Sequence, residues 1–433
     1  MKKRRKIDDN NPTYNFLLHF VNFSYKLTYR KIKYLGKENW PKKGAVILAP
    51  NHCAALMDPL AVLSINSEPK VFVARADIFE KSRIANILTW LKMLPINRIR
   101  DGLRSVAKND ITIKKSVDVL NNETKICISS EGSHRPKHSL LPIGKGIGRM
   151  AYAANEKMGH EKPVYILPIG LEYGDYFRYH TTLLVQIGEP INVTEYILQN
   201  SQKNEHEIIE YIRKKLAFSI AEKIIYIKDD EYYDATWELA KLESGKKNNS
   251  NIEKRYNTNK EVISRINTFR KEHQDMSIEL FEKVNNFIIE RKKAKVSIYS
   301  IVTKKPFISA LWHTLFAILG LPLFITGIIA FSPLFGASAY AVKKIPDKAF
   351  SNSFRYVLSL LLWGLIYIVW SIVLFCNLRW YYALGFILLL IPLHLFVYDY
   401  MELLRIGASD WRWLFNKKLK AQLVEIEEIF KKI

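Results

Sequence analysis

The chain has 433 residues, of which 65 are Lys or Arg and 42 are Asp or Glu, so its formal net charge is +23. This charge predicts an anionic partner, either nucleic acid, an acidic protein or an anionic membrane surface, and the apolar C-terminal region favours the membrane over nucleic acid. Only three cysteines are present, far apart, which argues against a disulfide framework and a cysteine zinc site and fits a reducing compartment.

The N-terminal region, residues 1–39, predicts one amphipathic helix. Its basic start lacks the apolar core of a signal peptide. Asn11 and Pro12 form a typical helix start, with Asn as the cap and Pro in the first turn. Aromatic side chains then recur at helical spacing, as in Phe16, Phe20 and Phe23. Two interpretations stay open: a helix packed on its own domain, or a helix lying in the membrane interface.

Residues 40–195 predict an α/β domain, a mixed sheet flanked by helices. The segments AVILAP, KVFVAR, KICISS, PVYILPIGLEY and TLLVQIGEPI have the composition of strands. Helical segments, SVAKNDITIKKSVDVLNN and KGIGRMAYAANEKMG, lie between them. Alternation of strands and helices is typical of a largely parallel or mixed sheet.

The C-terminal half predicts helices throughout. Residues 196–300 predict a charged helical extension, and residues 301–405 an α-helical transmembrane region, because about 20 apolar residues cross a bilayer. Phe354–Cys376 and Tyr381–Phe396 predict one hairpin, and Phe307–Val342 predicts a second hairpin or a re-entrant element. Residues 406–433 predict another amphipathic, interfacial helix.

Basic residues flank the predicted spans and predict their orientation. Lysines precede and follow the first block, and Arg405 and Arg412 follow the last, whereas the short loop between the later spans carries only Arg379. By the positive-inside rule, the basic flanks lie in the cytosol. We therefore expect a protein integral to the cytoplasmic (inner) membrane, with its soluble domain facing the cytosol and its lysines near anionic phospholipids.

The segment LAPNHCAALMDPL contains a candidate catalytic pair, His52 and Asp58. His52 follows the strand AVILAP, and α/β proteins bind ligands at strand ends. Asp58 and Pro59 also fit a helix start, with Asp58 as the cap. Six positions on a regular helix would put the two side chains on different faces, so they meet only if residues 53–57 form a turn.

Three later segments change the interpretation of this pair. KMLPINRIRDG places Arg98 after a Leu-Pro turn, SSEGSHRPKHSLLPIGKG places Glu131 and Gly132 after a strand, and ILPIGLEY places Pro168 at the end of another strand. In this order the four segments resemble the glycerophospholipid acyltransferase superfamily, the PlsC-like enzymes, over roughly residues 40–191. That family has an H-x(4)-D block, an Arg block, an F-P-E-G block and a final strand ending in proline.

The sequence departs from the family pattern at two places. The gap between His52 and Asp58 is five residues instead of four, which resembles the branch of glycerol-3-phosphate acyltransferases. Ser129 and Ser130 replace the Phe-Pro of the third block, a change expected to alter turn rigidity and the acceptor pocket.

The resemblance implies a reaction and a set of roles. His52 is the general base that takes the proton of an acceptor hydroxyl, and Asp58 orients it and stabilises the imidazolium. The acceptor hydroxyl is the nucleophile, so Cys53 needs no covalent role. Arg98 and Arg135 are expected to bind a phosphate. The complete set of implied substrate-binding residues is Arg98, Glu131, Gly132, Ser133, Arg135, Lys145 and Pro168.

The predicted function is transfer of a fatty acyl group from acyl-CoA or acyl carrier protein to glycerol-3-phosphate or 1-acylglycerol-3-phosphate. No cofactor and no metal are expected. Two alternatives stay open: a metal-dependent lipid hydrolase using His52, Asp58, His134 and His138, and a non-catalytic membrane scaffold with an acyltransferase fold.

Overall fold

The computed structural model describes residues 7–9, 11–98, 109–247 and 251–431. The chain divides into two compact units. Unit 1 consists of Met1–Ile224 and Ile345–Tyr356, and unit 2 of Ile225–Lys344 and Val357–Ile433. Unit 1 is therefore built from two pieces of sequence.

Unit 1 contains a mixed sheet, which has eight strands within the described ranges. Their spatial order is β1-β7-β6-β2-β5-β3-β4, and β8 pairs with the first part of β6. Pairs are parallel except for β6 with β7 and β6 with β8. This confirms the predicted α/β class. The strands are β1 (Lys31–Leu35), β2 (Ala45–Pro50), β3 (Lys70–Arg75), β4 (Met93–Ile96), β5 (Lys125–Cys127), β6 (Val164–Tyr173), β7 (Thr182–Ile187) and β8 (Ile191–Asn192).

Seven helices of the described chain accompany this sheet. Four of them, those between Asn109 and Lys223, pack an apolar core against it, which includes Ile47 of β2, Ile126 of β5 and Ile166 of β6, side by side in register. All six residues of β2 are buried, as expected for a strand covered on both faces. The helices are α1 (Pro12–Leu27), α2 (Met57–Leu63), α3 (Ser82–Trp90), α4 (Asn109–Asn121), α5 (Gly146–Lys157), α6 (Val193–Gln199) and α7 (Glu205–Lys223).

The predicted N-terminal helix begins at Pro12, and Asn11 Oδ1 accepts the N–H groups of Thr13 and Tyr14 at 3.0 and 3.4 Å. The helix ends at Leu27, however, and the last part of the predicted helical region forms strand β1, parallel to β7. The alternating sequence KIKYL fits an edge strand of the sheet better than a helix.

Unit 2 is helical in its described residues. Within the described residues of the chain, three helical segments are long and apolar enough to cross a membrane by length and composition: Pro306–Ala330, Lys348–Asn377 and Trp380–Phe415. The helices are α8 (Tyr233–Lys246), α9 (Ile252–Glu272), α10 (Gln274–Lys293), α11 (Ile298–Val302), α12 (Pro306–Ala330), α13 (Ser332–Lys344), α14 (Ser351–Asn377), whose first turn belongs to unit 1, α15 (Trp380–Phe415) and α16 (Lys417–Phe430).

The block Phe307–Val342, predicted as a second hairpin or a re-entrant element, does not form two helices of membrane-spanning length. It forms one long helix, α12, and one helix of 13 residues, α13. At 1.5 Å per residue, α13 is about 20 Å long, too short for a bilayer core of about 30 Å. The helix α12 continues through Pro322, and Gly320 lets the Tyr400 ring of α15 approach its backbone.

The C-terminal residues also differ from the prediction. Residues 406–415 continue α15, and a new helix begins only at Lys417. The apolar side chains Leu419, Ile426 and Phe430 are buried within unit 2, where α16 packs on α10. The predicted interfacial helix therefore uses its apolar face inside the protein.

Candidate active site

His52 and Asp58 form a hydrogen-bonded pair at the carboxyl end of β2. His52 Nδ1 lies 2.7 Å from Asp58 Oδ2. Asp58 is completely buried, whereas the His52 side chain keeps 19% of its surface exposed. Within the described ranges, His52 Nε2 has no hydrogen-bond partner. The imidazole is thus held on one nitrogen and can offer the other to a ligand.

The five-residue gap is accommodated by a tight turn. Ala55 adopts a φ of 51°, in the left-handed region, and Met57 N donates to Ala54 O at 3.0 Å. The turn directs the N–H groups of Cys53 and Ala54 onto Asp58 Oδ2, both at 2.8 Å. The prediction of a turn through residues 53–57 is confirmed.

The prediction that Asp58 caps the following helix is wrong. Helix α2 begins at Met57 and its cap position is Leu56, so Asp58 lies inside the first turn. Its carboxylate accepts the N–H groups of Cys53 and Ala54, in the preceding turn, instead of those of the helix.

Tyr173 is a residue of this site that sequence reasoning missed. It is the last residue of β6, and its hydroxyl donates to Asp58 Oδ1 at 2.8 Å. Burial and the negative charge of Asp58 raise the pKa of Tyr173 well above its ordinary value, so the hydroxyl stays protonated and donates. The sequence feature that could have indicated this role is a tyrosine, which carries a hydroxyl, at the end of the apolar strand PVYILPIGLEY.

Cys53, next to His52, has the environment of a structural residue. It is buried, and burial followed by the charge of Asp58 raises the pKa of its thiol well above the ordinary value. Since the thiolate is the nucleophilic form, this environment suits a packing role.

Glu131 and Arg135 connect the third block to the backbone of His52. Glu131 Oε1 accepts the N–H of His52 at 2.6 Å, and its Oε2 accepts the N–H of Leu141 at 2.7 Å. Arg135 donates its backbone N–H to His52 O at 3.1 Å, and its guanidinium donates to Ser139 Oγ at 2.7 Å. Burial raises the pKa of Glu131 to about 7, against the opposing effect of the two N–H groups.

The turn at Gly132 explains part of the E-G motif. Gly132 has a φ of 65°, and a Cβ built there would meet no atom within 4 Å. The glycine is therefore needed for its backbone conformation and not for a close approach of another group. Ser133 lies half-buried in the same turn.

The predicted cationic residues lie at different places. Arg98 follows β4 and pairs with Asp77 at 3.6 Å. Three inter-strand steps of about 4.8 Å separate β4 from β2. Lys145 precedes α5, and its ammonium contacts His206 at 3.2 Å and Glu210 at 3.3 Å, both on α7. Their predicted contacts with substrate stay predictions.

Pro168 lies in the middle of β6 and not at its end. The strand continues to Tyr173, and Pro168 pairs in register with Ala49 of β2. On its other edge, β6 pairs with β8 up to Ile166 and with β7 from Ile169. A proline, which has no N–H, is tolerated between these two partners because no ladder bond is required there.

His134 and His138 each pair with a carboxylate of their own. His134 Nε2 lies 2.7 Å from Asp347 Oδ2, and His138 Nδ1 lies 3.1 Å from Glu172 Oε2. In the described part of the chain, no group of three His, Cys, Asp or Glu residues is arranged to hold a metal ion. The histidines that the hydrolase alternative would use as metal ligands therefore each pair with a different carboxylate.

A family model and a curated relative agree with the sequence resemblance. A family model described as Acyltransferase matches residues 31–172. The 1-acyl-sn-glycerol-3-phosphate acyltransferase of Borreliella burgdorferi is 30% identical over 131 residues, which make up 30% of this chain and 50% of that protein. This chain thus spans about half the length of that curated relative. The crystal structure of the 1-acyl-sn-glycerophosphate (LPA) acyltransferase PlsC from Thermotoga maritima aligns at 18% identity, with a TM-score of 0.35, over 49% of this chain and 82% of that chain.

The matched range runs from β1 to the penultimate residue of β6. It contains the His52–Asp58 pair and the Glu131 turn, so the family match and the geometry point to the same part of unit 1. Residues 31–172 thus form an acyltransferase domain that is similar to those of the glycerophospholipid acyltransferase superfamily.

Proposed function

We propose that this protein is a membrane-bound O-acyltransferase that moves a fatty acyl group from a thioester to a hydroxyl of 1-acylglycerol-3-phosphate or glycerol-3-phosphate. The observation that supports this most directly is the His52–Asp58 pair, with Nδ1 held at 2.7 Å and Nε2 available to a ligand. No enzyme nucleophile is required, because the acceptor hydroxyl itself attacks.

The reaction proceeds through proton transfer at His52. Neutral imidazole takes the hydroxyl proton at Nε2 while the acceptor oxygen attacks the thioester carbonyl carbon. The tetrahedral intermediate collapses, the carbon–sulfur bond breaks, and the thiolate leaves with the proton from the imidazolium. Asp58 stabilises that imidazolium through Nδ1–H, and Tyr173 holds the other carboxylate oxygen.

The donor is acyl-CoA or acyl carrier protein, and the lipid partner is an anionic bilayer. The formal charge of +23 supports both, since each Lys or Arg near an anionic surface contributes about 1 kcal/mol of attraction. Three long apolar helices support an integral membrane location. The basic flanks of these helices support a position in the cytoplasmic membrane with the catalytic domain in the cytosol.

Helix α1 supports contact with the bilayer from unit 1. Its Tyr14, Leu18 and Tyr25 are buried, whereas Phe16 and Phe23 are 75% and 56% exposed. Exposed phenylalanines on one side of an amphipathic helix are typical of helices that lie in the membrane interface. The structure of this helix fits both interpretations, packing on its own domain and lying in the membrane interface. One side of the helix is buried in unit 1, and another side exposes aromatic rings.

The test is a product assay with purified protein in lipid. Radiolabelled acyl-CoA and acyl carrier protein thioesters are offered with glycerol-3-phosphate, dihydroxyacetone phosphate or lysophospholipids. We expect a labelled acyl ester from the wild type and none from His52→Ala, whereas the exposed-histidine control His19→Ala keeps full activity. Full activity of His52→Ala would contradict the mechanism, and binding without turnover by the wild type would favour the scaffold alternative.

A further inference from the structure

His134 lies beside His52 and is held by residues much later in the chain. The two imidazole rings meet edge-on, with 5.4 Å between their centroids. His134 Nε2 lies 2.7 Å from Asp347, 213 positions later, and its ring packs edge-on against Phe350 at 4.7 Å. Two of these three interactions therefore come from the 345–356 segment of unit 1.

The 345–356 segment is attached to the loops that surround the site. Leu56 N, in the turn between His52 and Asp58, donates to Ser353 Oγ at 3.2 Å. Asn352 Nδ2 donates to the backbone oxygen of Tyr176 at 2.9 Å, in the loop that follows β6. These bonds fix the segment at two separate loops, so its side chains have defined positions beside His134.

Asp347 is oriented as an anionic acceptor. Its Oδ1 accepts the N–H of Ala349 at 2.9 Å, and its Oδ2 faces His134. Partial burial acts to raise the pKa of Asp347, but the Ala349 N–H and His134 outweigh it and hold the pKa below its usual value. Both carboxylate oxygens thus have a partner, and the His134 ring is fixed at Nε2.

We propose that Asp347 and Phe350 are positioning residues of the acyl-transfer site and act on His52 through His134. This rests on the proposed function. A single hydrogen bond from Nδ1 to Asp58 leaves the His52 ring able to rock about that bond. The edge contact with His134 limits this motion, so that Nε2 keeps its direction toward the acceptor hydroxyl, and small errors in such placement are costly in rate.

The test uses Asp347→Asn in the full-length protein. The amide oxygen can still accept from Ala349, so the local turn is kept, while the anionic acceptor for His134 is lost. We expect kcat to fall about tenfold with KM for both substrates unchanged, because misplacement of the base acts on the transition state. Asp275→Asn, the same change at an exposed aspartate of unit 2, serves as the control and leaves kcat unchanged.

A double-mutant cycle shows whether Asp347 acts through His134. His134→Phe keeps a ring against His52 and Phe350 but cannot bond Asp347. We expect the double variant to be no slower than His134→Phe alone. The inference would be overturned if the kcat losses of the two single variants multiplied in the double variant. It would also be overturned if Asp347→Asn kept the wild-type kcat or changed only KM. The cycle also covers the case in which Asp347→Asn lowers the melting temperature. A loss of kcat caused by general instability would not depend on His134, so it would multiply with the loss caused by His134→Phe.

The same assay separates this inference from the proposed function. Absence of transfer by the wild type would overturn both. Normal transfer by the wild type together with normal transfer by Asp347→Asn would overturn the positioning role alone.

Discussion

Tyr173 and Asp58, 115 positions apart in sequence, are joined by a buried hydrogen bond of 2.8 Å. The tyrosine ends β6, the aspartate lies in the first turn of α2 after β2, and the two strands are neighbours in the sheet. The orienting acid of the proposed reaction is therefore fixed by the sheet itself as well as by the local turn.

Tyr173→Phe tests this bond. The change removes one donor from a completely buried carboxylate, so we expect a loss of about 1–3 kcal/mol in the free energy of unfolding. The negative charge of Asp58 and its bond to His52 remain, so we expect only a small fall in kcat despite the loss of stability. Thermal unfolding and steady-state kinetics in the same detergent measure the two effects. A variant of wild-type stability would contradict the bond.

Asp58→Asn tests the charge. An amide oxygen can still accept from Cys53, Ala54 and His52, but the negative charge that faces the imidazolium is lost. We expect kcat to fall on the order of 10²–10⁴-fold, as for aspartates that serve a catalytic histidine in the same way. Single-turnover rates with labelled acyl-CoA measure the chemical step. A fall no larger than that of Tyr173→Phe would show that charge is unimportant.

Substitutions of Ala55 test the tight turn that spans the five residues between His52 and Asp58. Its φ of 51° is unfavourable for any residue with a Cβ, and more so for a β-branched one. We expect Ala55→Gly to keep or slightly raise stability and Ala55→Val to cost about 1–2 kcal/mol or more, since the site is also buried. Melting temperatures and the transfer rate of both variants provide the measurement, and equal behaviour of Gly and Val would contradict the turn.

Glu131 predicts a pH dependence of stability. Its pKa in the folded protein is raised to about 7 from an ordinary value of 4.5, so the folded state binds this proton more tightly than the unfolded state. The protonated Glu131 therefore contributes to the free energy of unfolding. This contribution is complete below pH 4.5 and is lost as the pH rises through 7, a change on the order of 3 kcal/mol. Melting curves of Glu131→Gln should lack this component, whereas the exposed control Glu189→Gln should retain it. Parallel pH profiles of wild type and Glu131→Gln would contradict the assignment.

Phe20 tests the membrane contact of α1. It is 42% exposed on the same helix as Phe16 and Phe23. We expect a polarity-sensitive dye on Phe20→Cys, in a chain whose exposed Cys376 is replaced by serine, to shift to the blue in anionic bilayers and to be quenched by spin-labelled lipid. The same dye at the exposed position Glu38→Cys should stay in water, and identical spectra at both positions would remove the interfacial role.

Local patterns were enough to predict much of unit 1. The strands AVILAP and KVFVAR occupy the predicted residues, and the His52–Asp58 contact follows from a strand end, a turn and the chemistry of the pair. The short strand β4 was missed because four residues carry too little periodicity, and β1 because its residues followed a helical pattern.

Contacts that depend on distant parts of the chain could not be predicted. Nothing near Asp347 in the sequence shows that it faces His134, and nothing near Tyr173 shows that its hydroxyl meets Asp58. The short helix α13 was missed for another reason, since composition shows that a segment is apolar but not where its helix breaks. Residues 99–108, which contain the end of the segment KMLPINRIRDG and the first four residues of the predicted helix SVAKNDITIKKSVDVLNN, lie outside the described residues.

The division of unit 1 into two pieces of sequence has a consequence for biosynthesis. All the described strands of the sheet precede Ile224, but His134 has no Asp347 to bond until the chain has grown by more than a hundred further residues, past helices α12 and α13. The newly made domain therefore waits for its last contacts until a helix able to enter the bilayer has been produced. Under the proposed function, full transfer activity would then begin only after a helix able to enter a bilayer has been made.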